Sequence, residues 1–100
     1  MSESSSSSVV IRHAVGLHAR PSVKLTKLAK TFSAAIEIAS SPEGPWIDAK
    51  SIVKVMAMKA KQDSTLYMRA RGGDAAAAVT AVKGLVERDF DEDKADAASG

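Results

Sequence analysis

Between Thr65 and Arg71 every second side chain is apolar: Leu66, Met68 and Ala70 alternate with Thr65, Tyr67, Arg69 and Arg71. A period of two marks a strand with one face covered and the other wet, so this stretch belongs to a sheet with a layer packed on one side only. Ala34 to Ala39 follows the same rule around Ile36 and Ile38, with Glu37 facing away. Val9 to Ala14 sets Val9 and Ile11 against Val10 and Arg12, and Trp46 to Asp48 is long enough only for a very short strand.

The segments between these strands have helical spacing. Leu25, Leu28, Ala29 and Phe32 recur at intervals of three and four, while Lys24, Lys27 and Lys30 fall elsewhere, which predicts an amphipathic helix over Ala19 to Phe32. Ser51 to Met58 carries Ile52, Val55 and Met56 in helical register over about two turns. Asp74 is placed to cap a third helix running from Ala75 to about Arg88, with Ala78, Val82, Leu85 and Val86 as its core stripe. The order βαββαβα predicts an α+β fold, an open-faced sandwich with a four-stranded antiparallel sheet and three helices on one face. Ferredoxin-like domains, some of which bind RNA, share that element string, so the fold does not choose the function.

The outer segments differ in composition. Residues 1–8 are dominated by the tract Ser4 to Ser8 and predict a disordered leader, and residues 89–100, acidic and alanine-rich, predict a frayed tail. One domain over residues 9–88 remains. The absence of cysteine excludes a disulfide framework, a thiolate metal site and a thiol nucleophile. No apolar run approaches the roughly 20 residues of a membrane span, and the first residues lack the pattern of a signal peptide, so a cytoplasmic protein without membrane insertion is expected.

Overall charge is misleading. Fourteen basic residues stand against twelve acidic ones, yet Val9 to Arg88 holds thirteen basic and six acidic residues, a body of +7. Six acidic residues lie outside that body, five of them from Asp89 onward.

Chemistry concentrates in Gly16-Leu17-His18-Ala19-Arg20-Pro21-Ser22, where the first strand gives way to the first helix. First-turn N–H groups lack intrahelical acceptors, and with the helix dipole they favour an anion. Arg20 adds a guanidinium able to bond phosphate oxygens, and Pro21 suits the first turn because its missing N–H is not needed there. A neutral imidazole with a pKa of about 6.5 is a competent nucleophile, so His18 either accepts a phosphoryl group or merely caps the helix or lines a loop. His13 has no spacing or companion that makes a metal site and reads as a strand-end residue.

The string GLHARPS resembles the active-site signature of the histidine-containing phosphocarrier protein HPr of the phosphoenolpyruvate-dependent phosphotransferase system. Lys50-Ser51-Ile52-Val53-Lys54-Val55-Met56 resembles that family's second motif, and the likeness runs from Val9 to about Arg88. The resemblance implies a carrier rather than an enzyme. Phospho-enzyme I would charge Nδ1 of His18, Arg20 and the backbone of Ala19 and Arg20 would steady the phosphoryl oxygens, and an enzyme IIA would take the group. No cofactor or metal is implied. Ser51 stands at the family's regulatory serine, the target of HPr kinase/phosphorylase, and as a residue also reads as an N-cap. Lys59 replaces a glycine that commonly ends the short helix, which predicts a different helix end.

Arg20, Lys24 and Lys27 follow i, i+4, i+7 and form a basic stripe, and with Lys50 and Lys54 they are expected to ring the phosphorylation site. Ile52, Val53 and Val55 cannot all face the core, so an apolar docking patch is expected beside them. A shuttle between two partners suits a monomer, acting in sugar uptake or in the nitrogen-type regulatory branch. The competing readings are an HPr-like regulatory binder without phosphoryl transfer and a basic RNA-binding domain. The outward strand residues hold one tyrosine and no aromatic pair for stacking bases, which speaks against nucleic acid.

Overall fold

A computed structural model describes residues 4–12, 19–88 and 90. Its elements are β1 (Ser4–Val10), α1 (Ala19–Lys30), β2 (Ala35–Ala39), β3 (Ile47–Asp48), α2 (Ile52–Met58), β4 (Thr65–Arg71) and α3 (Ala75–Glu87). The strands form one sheet in the order β1-β4-β2-β3, and every neighbouring pair is antiparallel.

β4 is the spine of that sheet. Ser4 pairs with Arg71 and Val10 with Thr65 on one side, while Ala35 pairs with Arg71 and Ala39 with Tyr67 on the other. This register places Val9, Ile36, Ile38, Leu66, Met68 and Ala70 on one face. They share a single buried cluster with Leu25 and Ala29 of α1, Val55 of α2, and Ala75, Ala78, Val79, Val82, Leu85 and Val86 of α3. All three helices therefore cover the same face, as the alternation in β4 predicts.

The serine tract departs from expectation. Ser4 to Ser8 make up the first five residues of β1 and pair with β4. Serine has weak strand propensity of its own, but sheet hydrogen bonds are made by the backbone, and β4 supplies a partner along the whole length. The expected disorder of residues 1–8 is corrected for Ser4 to Ser8. Their outward members, Ser4, Ser6 and Ser8, are exposed on the open face. There the Arg69 guanidinium lies 4.1 Å from the centre of the Trp46 ring and donates to Glu37 Oε1 at 2.7 Å.

The tail departs as well. Phe90, inside the stretch expected to fray, is fully buried and belongs to the core cluster. α1 ends at Lys30 rather than Phe32, and the N–H groups of Thr31 and Phe32 turn back to the carbonyls of Leu28 and Ala29 in a tighter last turn.

Asp74 stands at the start of α3, but its carboxylate makes no cap bond to that helix. Its two oxygens accept from the N–H groups of Ser33 and Ala34 at 2.9 and 2.8 Å, which fastens the entry of β2 to the β4–α3 corner. The Ser33 bond foremost, with that from Ala34, holds the carboxyl below its ordinary 3.8 against partial desolvation. Gly72 makes this corner possible: at φ +140°, a Cβ there would meet Ala34 Cα at 3.0 Å.

α2 ends with Lys59 in the left-handed region at φ 53°, its N–H bonded to the Met56 carbonyl. The different helix end expected from losing glycine does not arise, because the lysine takes the glycine-like conformation itself.

Candidate functional site

α1 opens at Ala19, and no acidic residue occupies its first turn. The N–H groups of Ala19 and Arg20 belong to that turn and have no carbonyl four residues back within the helix, while Pro21 brings none. This is the local electrostatics of an anion site, with the exposed Arg20 inside it. Arg20 is helical although it precedes proline, a position that normally disfavours the α region. His18, with Gly16, Leu17 and His13, lies outside the described residues, so His18 enters by its place in sequence, one residue before the helix.

Beneath this turn, Pro21 and Ser22 are buried. Thr26 Oγ1 donates to the Ser22 carbonyl at 2.8 Å. The buried Ser22 hydroxyl has no hydrogen-bond partner among the described residues.

The expected basic ring breaks into separate roles. Arg20 and Lys27 are exposed on α1. Lys24 is partly buried and its Nζ donates to the Phe90 carbonyl at 2.9 Å, so it ties the helix to the segment after α3. Lys50 donates from Nζ to the Phe32 carbonyl at 2.8 Å. Phe32 lies just past the C-terminal end of α1, and a 12-residue helix spans roughly 18 Å. Lys50 is therefore fixed at the end of α1 remote from Ala19 and does not ring the site. Lys54 is exposed on α2.

On α2 only Val55 is buried, and Ile52 is half-buried. Met56, expected inward, is 42% exposed, and Val53 is 74% exposed. α1 packs against α2, and Val23 of α1 is 40% exposed. Val23 and Met56 are surface features that the apolar spacing did not single out, since a single valine or methionine at helical spacing reads equally well as core. Ser51 has extended dihedrals, and its Oγ accepts from the Lys54 N–H at 3.4 Å, a long N-cap bond.

A basic first turn on an α+β sandwich favours an anion, and the comparisons with known proteins give the class. Residues 5–88 match the family model described as the PTS HPr component phosphorylation site. The chain is 34% identical to the phosphocarrier protein NPr of Proteus mirabilis, a match covering 85% of this chain and 93% of that one. It is 40% identical to the phosphocarrier protein HPr of Cupriavidus necator over 78% of this chain and 85% of that one. Among solved structures, HPr-C-His from Thermoanaerobacter tengcongensis superposes with a TM-score of 0.80 at 30% identity, covering 88% of this chain and 97% of that one. The chain belongs to the HPr family of the phosphotransferase system. It is a phosphocarrier, the substrate of enzyme I rather than an enzyme.

Proposed function

We propose that His18 is the residue that carries the phosphoryl group. Nδ1 attacks the phosphorus held on phospho-enzyme I; the bond to enzyme I breaks as the new P–N bond forms, and the reverse geometry passes the group to an enzyme IIA. The observation that carries this reading is the run of GLHARPS directly into the N-terminus of α1, which sets His18 one residue before the first-turn N–H groups and Arg20. Ala19, Arg20 and the Arg20 guanidinium supply fixed charge complementarity, and the transfer itself needs mainly positioning and neutralisation. No step requires a metal.

The docking surface in this reading is the exposed face of α1 and α2, with Arg20, Lys27 and Lys54 as cations around Val23, Val53 and Met56. Ile52 contributes at its edge. Lys24 and Lys50, engaged on backbone carbonyls, contribute charge from anchored positions. Enzyme I and enzyme IIA dock there in turn, in the cytoplasm, on a monomer. Relatives named HPr and NPr match at similar identity, so the acceptor is a IIA of the sugar or of the nitrogen branch.

Ser51 is the regulatory position. A phosphate there would place about −1.5 to −2 charge at the start of α2 beside Lys54, on the surface the partners use. Incubation with HPr kinase/phosphorylase and ATP checks this. An adduct that survives in Ser51→Ala would remove Ser51 from the reading.

The deciding experiment is incubation with enzyme I and phosphoenolpyruvate, read by intact mass. One acid-labile, base-stable phosphate is expected on the native chain and none on His18→Ala. Uptake by His18→Ala would place the phosphoryl group elsewhere, and no uptake by the native chain would favour the regulatory-binder reading.

A further inference from the structure

The face of the sheet that the helices leave open carries an aromatic pair. Tyr67 is the outward ring of β4, and Trp46, the residue before β3, lines one cleft with it. β2 pairs Ile38 with Ile47 and Ala39 with Tyr67, so Trp46 falls beside Ala39, two strands from Tyr67. Trp46 lies outside the clean alternation, and spacing alone hides the pair. On one side this cleft shares Ser6 and Arg69 with a second, which reaches Arg71. On the other it shares Ser8 and Tyr67 with a third, which reaches Arg12 and Lys83. The result is a continuous track with four cations and two carboxylates, Glu37 and Glu87. Arg12 and Arg71, near its two ends, are exposed, and their side chains make no hydrogen bond or ion pair among the described residues.

We propose that this open face binds single-stranded nucleic acid, with bases stacked on Tyr67 and Trp46 and the phosphate backbone spanning Arg71 and Arg12. Every base has a π-face, and an aromatic pair flanked by cations is what a strand of any sequence needs. Arg71 and Thr65, the latter in the same cleft as Arg12, stand six residues apart on β4, about 20 Å, which accommodates a short run of nucleotides. Between them the exposed Ser6 and Ser8 offer hydroxyl donors to phosphate oxygens. Arg69 is not needed as a phosphate ligand: it lies 4.1 Å from the centre of the Trp46 ring, is bonded to Glu37, and holds the indole in place. A neutral sugar chain would use the rings and leave both free guanidinium groups idle, so the charge favours the nucleic acid. The three helices pack on the opposite face, and this site does not rest on the phosphocarrier reading.

The test uses the full chain and its own reporter, since Trp46 is the single tryptophan and sits in the site. Octamers of uridylate and of deoxythymidylate are expected to quench its fluorescence saturably at low salt, and quenching by one alone assigns the site to RNA or to DNA. With two phosphates neutralised, affinity is expected to fall about sevenfold between about 50 and 200 mM salt, and Arg12→Gln with Arg71→Gln to flatten most of that fall. Tyr67→Ala is expected to weaken binding about tenfold, Tyr67→Phe less than about twofold, and Lys27→Gln on α1 not at all. No saturable quenching by either octamer overturns the proposal. So does native affinity in Tyr67→Ala, or inorganic polyphosphate binding as tightly as the octamers, because either leaves an anion surface without stacking. Quenching by maltoheptaose in place of the octamers overturns it in favour of a sugar chain. Should Tyr67→Ala fail to fold, the paired arginine variant decides, and an unchanged salt dependence there overturns the proposal.

Discussion

Replacing Phe90 with alanine tests how far the folded body extends beyond α3. The side chain is fully buried in the core cluster, and a phenylalanine of that kind removes about 150–250 Å² from water. At about 25 cal/mol per Å² this is worth roughly 4–6 kcal/mol, and measured Phe→Ala losses in cores run at about 3–5 kcal/mol. A domain of about 80 residues has a total stability of only about 4–12 kcal/mol, so the change removes a large part of it. One relief exists, because a segment that lies past the last helix can undock rather than leave a cavity, which brings the expected loss to about 2–4 kcal/mol. Urea unfolding followed by the single tryptophan, Trp46, reads this directly, and Phe90→Leu should cost less than about 1.5 kcal/mol. A loss below about 1 kcal/mol for Phe90→Ala at an unchanged urea slope would falsify the assignment of Phe90 to the core.

Other outcomes follow from single residues. Ser22→Ala is expected to stabilise by about 1 kcal/mol, because it removes a buried hydroxyl without a partner among the described residues; destabilisation in urea would mean that the hydroxyl is satisfied. Lys59→Gly is expected to stabilise by about 0.5–1 kcal/mol, the relief of a left-handed lysine less the added freedom of the unfolded chain, again read by urea. The Asp74 carboxyl has a folded pKa below its unfolded value near 3.8, so its contribution is fully present above that value and is lost as pH falls through the lower folded pKa. Asp74→Asn should therefore flatten the fall in stability below pH 4, and an acid limb identical to the native one would refute the Ser33 and Ala34 clamp.

Some of this molecule could be read from its letters, and the reasons differ from element to element. β4 was legible because its alternation records a sheet with one covered face, and its observed bounds, Thr65 and Arg71, coincide with that pattern. α1 and α3 were legible because their apolar residues repeat at helical spacing. Ser4 to Ser8 were not, since what makes them a strand is the partner edge of β4, which no local propensity encodes. Phe90 was obscured by the acidic residues around it, and a lone aromatic in such a stretch is the signal that could have exposed it. Asp74 was read as the cap of α3, but its carboxylate makes no cap bond there and instead accepts from backbone 40 and 41 residues away. Lys50 shows the same limit, because a motif beside a functional one in family likeness can still be anchored at the far end of the helix. For the site, residue types supplied the chemistry and α1 supplied the first-turn N–H groups. His18 remains a matter of sequence position.

The serine tract has one more consequence. Its backbone lies at the outer border of the sheet, yet five like residues in succession carry almost no information about alignment, since a shift by two replaces serine with serine. Alignment is set by the buried Val9 and Ile11, and Ile11 exchanges backbone bonds with Asp63 and Ser64. The tract behaves as a ruler without graduations, held at one end. Two serines inserted within it should pass through to the N-terminal side and leave every buried side chain in place, whereas one residue inserted between Val9 and Ile11 should turn a core position outward.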